Sequence, residues 1–124
     1  MLPLERLQEA QRLIADTLLP TPMLLDHVLS ERLGRQVWLK GELFQRTGSF
    51  KPRGGLHWIR TASRQELAGG LGAVSAGNHA LGLAWAAGQA GVPVTIVMPE
   101  NASQFKVEGS RELGAEVILH GDIN

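Results

Sequence analysis

The chain contains no cysteine, which excludes disulfides and thiolate metal sites. Aromatic residues are scarce, at 5%. Neither sign of charge prevails, since 12 lysines and arginines balance 12 aspartates and glutamates. Nucleic-acid binders carry a basic surplus, so no nucleic-acid partner is expected. The longest strongly apolar stretch, Val92 to Met98, is too short to span a bilayer, and no membrane partner is expected either. The opening residues, Met1-Leu2-Pro3-Leu4-Glu5-Arg6, lack a charged head followed by an apolar run, so no signal peptide is expected. A cytoplasmic location fits these absences. No Gly-x-Gly-x-x-Gly or Walker pattern occurs, which argues against a Rossmann dinucleotide site or a nucleoside-triphosphate site.

What remains is globular. The length, 124 residues, is that of one ordinary domain. The apolar share, 44%, argues against disorder. The 15 glycines fall singly or in pairs at the ends of periodic segments, as punctuation of an α/β fold.

Leu4 to Leu18 reads as a helix, with Leu4, Leu7, Ile14 and Leu18 on one face. Thr21-Pro22 breaks it. Asp26 to Leu33 reads as a short helix ended by Gly34, and Val37 to Lys40 as a strand. Leu43 to Gly48 reads as loop. Ser49 is expected to cap the next helix, with Pro52 in its first turn, where a missing N–H costs little. That helix is expected to reach Arg60, and Glu66 to Ala68 to add one more turn. Further on, strands are expected at Gly72–Ser75, Val94–Met98 and Ala115–Leu119. Helices are expected at Asn78–Gln89 and Ser103–Leu113. Gly72, Gly91 and Gly114 open or precede the strands. Alternating strands and helices with β-branched strands imply a parallel sheet. The polar, glycine-rich stretch from Thr61 to Gly70 marks a boundary between two units.

Two segments carry chemistry. The first is Gly48-Ser49-Phe50-Lys51-Pro52-Arg53-Gly54-Gly55. It sets a lysine at a helix start, where partial positive charge disfavours an ammonium. A neutral amine is the nucleophile of Schiff-base chemistry. The second is Ser75-Ala76-Gly77-Asn78-His79-Ala80, between a strand and a helix. Ligands sit at the carboxyl ends of parallel strands, and helix N-terminal amides favour anions. Each segment also has a plain structural reading: a solvated lysine, a turn glycine, a helix-capping asparagine. His79 has no second histidine or carboxylate at ligand spacing, so no metal site is expected. His27, His57 and His120 are scattered. Ala80, Ala84, Ala87 and Gly88 form a small-residue face suited to close packing. Lys106 and Arg111 read as a solvated helix face.

With both segments in register, the chain resembles the threonine/serine dehydratases (ammonia-lyases). These are fold type II pyridoxal 5'-phosphate (PLP) enzymes, the class of the tryptophan synthase β subunit. Thr21-Pro22 with Leu24, Val37 to Glu42, Val94 to Pro99 and Gly114 to Leu119 extend the likeness over nearly the whole chain. The resemblance implies a parallel three-layer α/β fold, incomplete in this chain. Residues 1–63 would begin the larger catalytic domain, and 71–124 would form an incomplete small domain.

The resemblance also implies roles. Lys51 would carry PLP as a Schiff base and, once released, take the substrate α-proton. Phe50 would pack beside the cofactor. Asn78 would hydrogen-bond the ring hydroxyl oxygen. Ser75, Ala76, Gly77, Asn78 and His79 would hold the substrate carboxylate, largely through backbone N–H groups. The reaction implied converts L-threonine or L-serine to a 2-keto acid and ammonia through an aminoacrylate. Threonine against serine stays open, as do a serine racemase activity and a non-catalytic remnant of the family. Members are more than twice this length, with the phosphate-binding loop beyond Asn124, so a truncated form that binds PLP poorly is expected. The intact protein is expected to be a homo-oligomer. Pro52 and Gly41 depart from the usual pattern.

Overall fold

Glycine stops and side-chain caps set several of the helix boundaries. The computed structural model describes residues 2–122. Helix α1 spans Leu4–Ile14 and strand β1 spans Met23–Asp26. Helix α2 (His27–Leu33) and strand β2 (Val37–Lys40) follow. Then come α3 (Lys51–Thr61), α4 (Arg64–Leu67), β3 (Leu71–Val74), α5 (Asn78–Ala90), β4 (Val94–Met98), α6 (Gln104–Glu112) and β5 (Glu116–Leu119). Gly34 and Gly91 end α2 and α5 in the left-handed conformation, at φ 61° and 64°. A side chain there would meet its own backbone, so glycine is the natural stop.

Several boundaries differ from the sequence expectation. Helix α1 stops at Ile14, and Leu18 reaches the core from the turn beyond it, where its N–H donates to the Ile14 carbonyl. Leu4 and Leu7 stay exposed. Asp26 does not lie in a helix. It ends β1, and its side chain accepts a hydrogen bond from the Leu29 N–H, capping α2. Strand β1 has no counterpart in the sequence reading; it pairs antiparallel with β2, Met23 opposite Lys40. Strand β3 runs one residue earlier than the expected Gly72–Ser75, so Gly72 is its second residue rather than its first.

Strands β3, β4 and β5 form a parallel sheet, as expected, and β4 lies in its centre. Val94, Ile96 and Met98 of β4 are buried with Ala80, Ala84 and Ala87 of α5 and Val107 of α6. Each large side chain buried this way contributes about 1.5–3 kcal/mol. The opposite face carries a cross-strand row, Val74, Val97 and Ile118, set by the register. Val74 is 82% exposed there.

A second set of small residues, Gly55 on α3 with Gly82 and Ala86 on α5, brings α3 against α5. A Cβ at Gly55 would lie 3.1 Å from the Ala86 Cβ and 3.3 Å from the Gly82 carbonyl oxygen. Backbones approach this closely only where side chains are small. Leu56 and Ile59 complete the α3 side of the core. Among the described residues no helix is long and apolar enough to cross a membrane.

Candidate active site

Lys51 is the first residue of α3, and the chain before it is anchored through Gln45. Gln45 is buried; its Nε2 donates to the Leu19 carbonyl at 2.7 Å and its Oε1 accepts from the Leu19 N–H at 3.2 Å. Thr47 is left-handed, at φ 61°, a conformation uncommon for a non-glycine residue. Beyond Lys51, Arg53 grips Glu42 bidentately, with Nε to Oε2 and Nη2 to Oε1 both at 2.8 Å. The Thr21 hydroxyl donates to the same carboxylate at 2.5 Å. Lys40 Nζ donates to the Thr21 carbonyl at 2.7 Å. These contacts tie α3 to the β1–β2 pair. The Arg53 hydrogen bonds, helped by the Thr21 hydroxyl, hold the Glu42 carboxyl below its ordinary range against the opposing effect of burial. The Arg53 guanidinium is raised in turn, by its bond to Glu42.

Ser49 does not cap α3. The cap position is Phe50, without a side-chain bond. The Ser49 hydroxyl is buried and has no protein partner, as has that of Thr47. Two orphaned hydroxyls thus lie two and four residues before Lys51. A buried unpartnered polar group is costly, and each calls for an explanation.

Lys51 meets α5 at Gly82. A Cβ at Gly82 would lie 2.7 Å from the Lys51 Cβ and 2.9 Å from its carbonyl carbon. Asn78 lies one helical turn earlier on the same face of α5. The two sequence segments are therefore brought together by the α3–α5 contact. The Lys51 ammonium sits 5.0 Å from the centre of the Phe50 ring, which is itself exposed. The chain has three lysines, at 40, 51 and 106. Lys40 Nζ and Lys106 Nζ each donate to a protein oxygen. Among the described residues, Lys51 Nζ donates to none.

The turn at residues 75–79 is built as follows. The Ser75 N–H donates to the Val97 carbonyl at 3.0 Å, extending the sheet. That leaves the Ser75 hydroxyl, which accepts from the Gly77 N–H at 3.3 Å. Gly77, not Asn78, occupies the cap position of α5, and no side chain caps the helix. The first-turn N–H groups of Asn78 and His79 therefore have no intrahelical acceptor. Ala76 and Gly77 are half-buried beside them. The Asn78 side chain accepts a hydrogen bond from Lys106 Nζ at 2.6 Å. Lys106 is thus half-buried and engaged, where the sequence reading left it solvated. Its only sequence signal was helical position; nothing local pointed to Asn78. The side chains of Asn78 and His79 part company. Asn78 lines a cavity of about 580 Å³ with Thr47, Leu81, Trp85 and Lys106. His79 lines another, of about 480 Å³, with Trp58, Glu66 and Leu83. Among the described residues no cluster of three metal-ligating side chains occurs.

The chain is similar to known proteins throughout. It is 46% identical to the L-threonine ammonia-lyase of Thermotoga maritima over 99% of its own length and 31% of that relative. It superposes on the T.th. threonine deaminase with a TM-score of 0.81 at 41% identity, covering 98% of this chain and 38% of that one. It superposes on the serine racemase of Dictyostelium discoideum with a TM-score of 0.89 at 31% identity, covering 98% and 40%. The chain spans about a third of the length of the curated relatives it matches. The family described as pyridoxal-phosphate dependent enzymes matches residues 14–124. With that match over most of its length, the chain belongs to the pyridoxal-phosphate dependent enzymes.

Proposed function

We propose that this chain carries the lysine-bearing part of a PLP-dependent ammonia-lyase that converts L-threonine or L-serine to a 2-keto acid and ammonia. The observation that carries the reading is the free amine of Lys51, alone among the three lysines in lacking an oxygen acceptor within the described residues. The likeness to threonine ammonia-lyases supports the reaction class.

The residues fit the cofactor. Lys51 offers an unengaged amine, and Gly82 keeps the space against its Cβ closed to any larger residue. Asn78 offers an amide, and the orphaned hydroxyls of Ser49 and Thr47 offer donors without protein acceptors. When bound, PLP supplies the electron sink that stabilises negative charge at the substrate Cα. Lys51 would hold the cofactor through Nζ, and the freed Nζ would take the α-proton. Phe50 would pack beside it, and the Asn78 amide would donate to its ring oxygen. The N–H groups of Ala76, Gly77, Asn78 and His79, with the Ser75 hydroxyl, would bind the substrate carboxylate at the start of α5. Residues 1–63 would belong to a larger catalytic domain and 71–124 to a smaller one. A cytoplasmic homo-oligomer, with neither nucleic acid nor membrane as partner, completes the reading.

The test is reductive trapping. PLP and borohydride are added to the chain, and the modified lysine is mapped by peptide mass. Label concentrated on Lys51, and diminished by L-threonine or L-serine, is the expected result. Label spread evenly over Lys40, Lys51 and Lys106 would overturn it. A second reading, racemisation, is favoured by the superposition on the Dictyostelium serine racemase. Release of D-serine rather than keto acid would select it. Specific Lys51 label with neither product would select a non-catalytic member of the family.

A further inference from the structure

We infer that Lys106 is a positioning residue that fixes which edge of the Asn78 amide faces the cofactor. The inference rests on the reading of Asn78 as the donor to the ring oxygen. A lysine ammonium only donates. At 2.6 Å from Lys106 Nζ, Asn78 must present Oδ1 to it. A flipped amide would set two donors against each other. With Oδ1 turned to α6, the NH₂ edge is turned away from α6. Among the described residues that NH₂ has no protein acceptor, so it is kept available.

The α5–α6 contact holds this pair in register. Gly109 lies three residues after Lys106, and Leu81 lies three residues after Asn78. A Cβ at Gly109 would come 3.1 Å from Leu81 Cδ2, so the two helices are close at that level. Val107 and Ser110 bury the inner face of α6. The carboxylate nearest in sequence on α6, Glu108, accepts from Gln104 at 2.7 Å instead. Among the described residues Lys106 makes no ion pair with a carboxylate. Its hydrogen bond goes to the residue one turn from the Lys51 contact.

The experiment reads the pair first without cofactor. The Asn78 side-chain amide signals are identified in a ¹⁵N correlation spectrum by their loss in Asn78→Ala. Lys106→Met is expected to move them while leaving the backbone signals of Ile96 and Val117 in place, and Lys106→Arg is expected to restore them. Unmoved Asn78 signals in Lys106→Met would overturn the pairing. PLP affinity is then measured by absorbance. Lys106→Met is expected to weaken it about tenfold, the equivalent of one hydrogen bond to a charged group, with recovery in Lys106→Arg. Wild-type affinity in Lys106→Met, alongside weakened binding in Asn78→Ala, would overturn the positioning role and leave the site intact. Asn78→Ala binding PLP as the wild type does would instead sink the reading of the site.

Discussion

Gly82 and Lys51 meet with no space between them: a Cβ at Gly82 would stand 2.7 Å from the Lys51 Cβ. The atoms it would strike are the root of a side chain and the backbone of α3, neither of which yields as a flexible side-chain end would. The position of the reactive amine is therefore set by a missing side chain on another helix.

Gly82→Ala is expected to destabilise the chain by about 1–3 kcal/mol through overpacking, despite the higher helix propensity of alanine. Gly54→Ala, in a helix position where a Cβ meets nothing within 4 Å, is expected to stabilise by about 0.5–1 kcal/mol. Denaturant midpoints of the two variants check the opposite signs. The first variant should also lose Lys51 trapping by PLP.

The Glu42–Arg53 pair predicts an acid limb. The Glu42 carboxyl is held below its ordinary value of 4.5, chiefly by the Arg53 hydrogen bonds. A carboxylate lowered in the folded state contributes stability that is full above its unfolded value and is lost as pH falls through its folded value. Glu42→Gln should therefore lower stability by about 1–2 kcal/mol near neutrality and flatten the fall below pH 4.5. Stability measured against pH in both proteins checks this. Parallel curves would count against the pair as the source.

Arg60 predicts local rather than global loosening. Its guanidinium donates to the Leu13 carbonyl, the Asp16 carboxylate and the Thr17 hydroxyl. Hydrogen bonding from Arg60 is the main cause that lowers the Asp16 carboxyl below 3.8. Arg60→Ala should raise the Asp16 titration point and speed hydrogen exchange across α1, leaving α5 protected. Equal exchange in α1 would show that the clamp does not hold the helix.

Asn78→Asp separates the two edges of residue 78. A carboxylate still accepts from Lys106 but has no N–H to donate. The variant should keep the α5–α6 contact, seen as an unchanged melting temperature, and lose PLP affinity. Unchanged affinity would mean that donation from residue 78 is not used.

The parallel sheet and its helices were legible because β-branched runs alternate with glycine-stopped helical segments, and Gly34 and Gly91 act as stops in the structure. Strand β1 was not. Met23-Leu24-Leu25-Asp26 shows no alternation, and it is a strand only because β2 pairs with it. Asp26 carries a capping side chain, which drew the helix start one residue early. Ser49 has the right residue type for a cap, but Phe50 holds the cap position and the Ser49 hydroxyl is buried without a partner. The proximity of the lysine and asparagine segments was implied only by resemblance. The small residues that create it, at 55, 82 and 86, lie outside the small-residue face that the sequence singled out, Ala80, Ala84, Ala87 and Gly88. Lys106 was invisible because its partner lies 28 residues away, beyond any local pattern.

The divergence of Asn78 and His79 gives each cavity beside α5 its own tryptophan: Trp85 beside Asn78 and Trp58 beside His79. The molecule thus carries a native optical reporter for each compartment. In a Trp38→Phe background, adding Trp58→Phe or Trp85→Phe leaves one indole, and its quenching tells which compartment a pyridoxal chromophore enters, with no label attached.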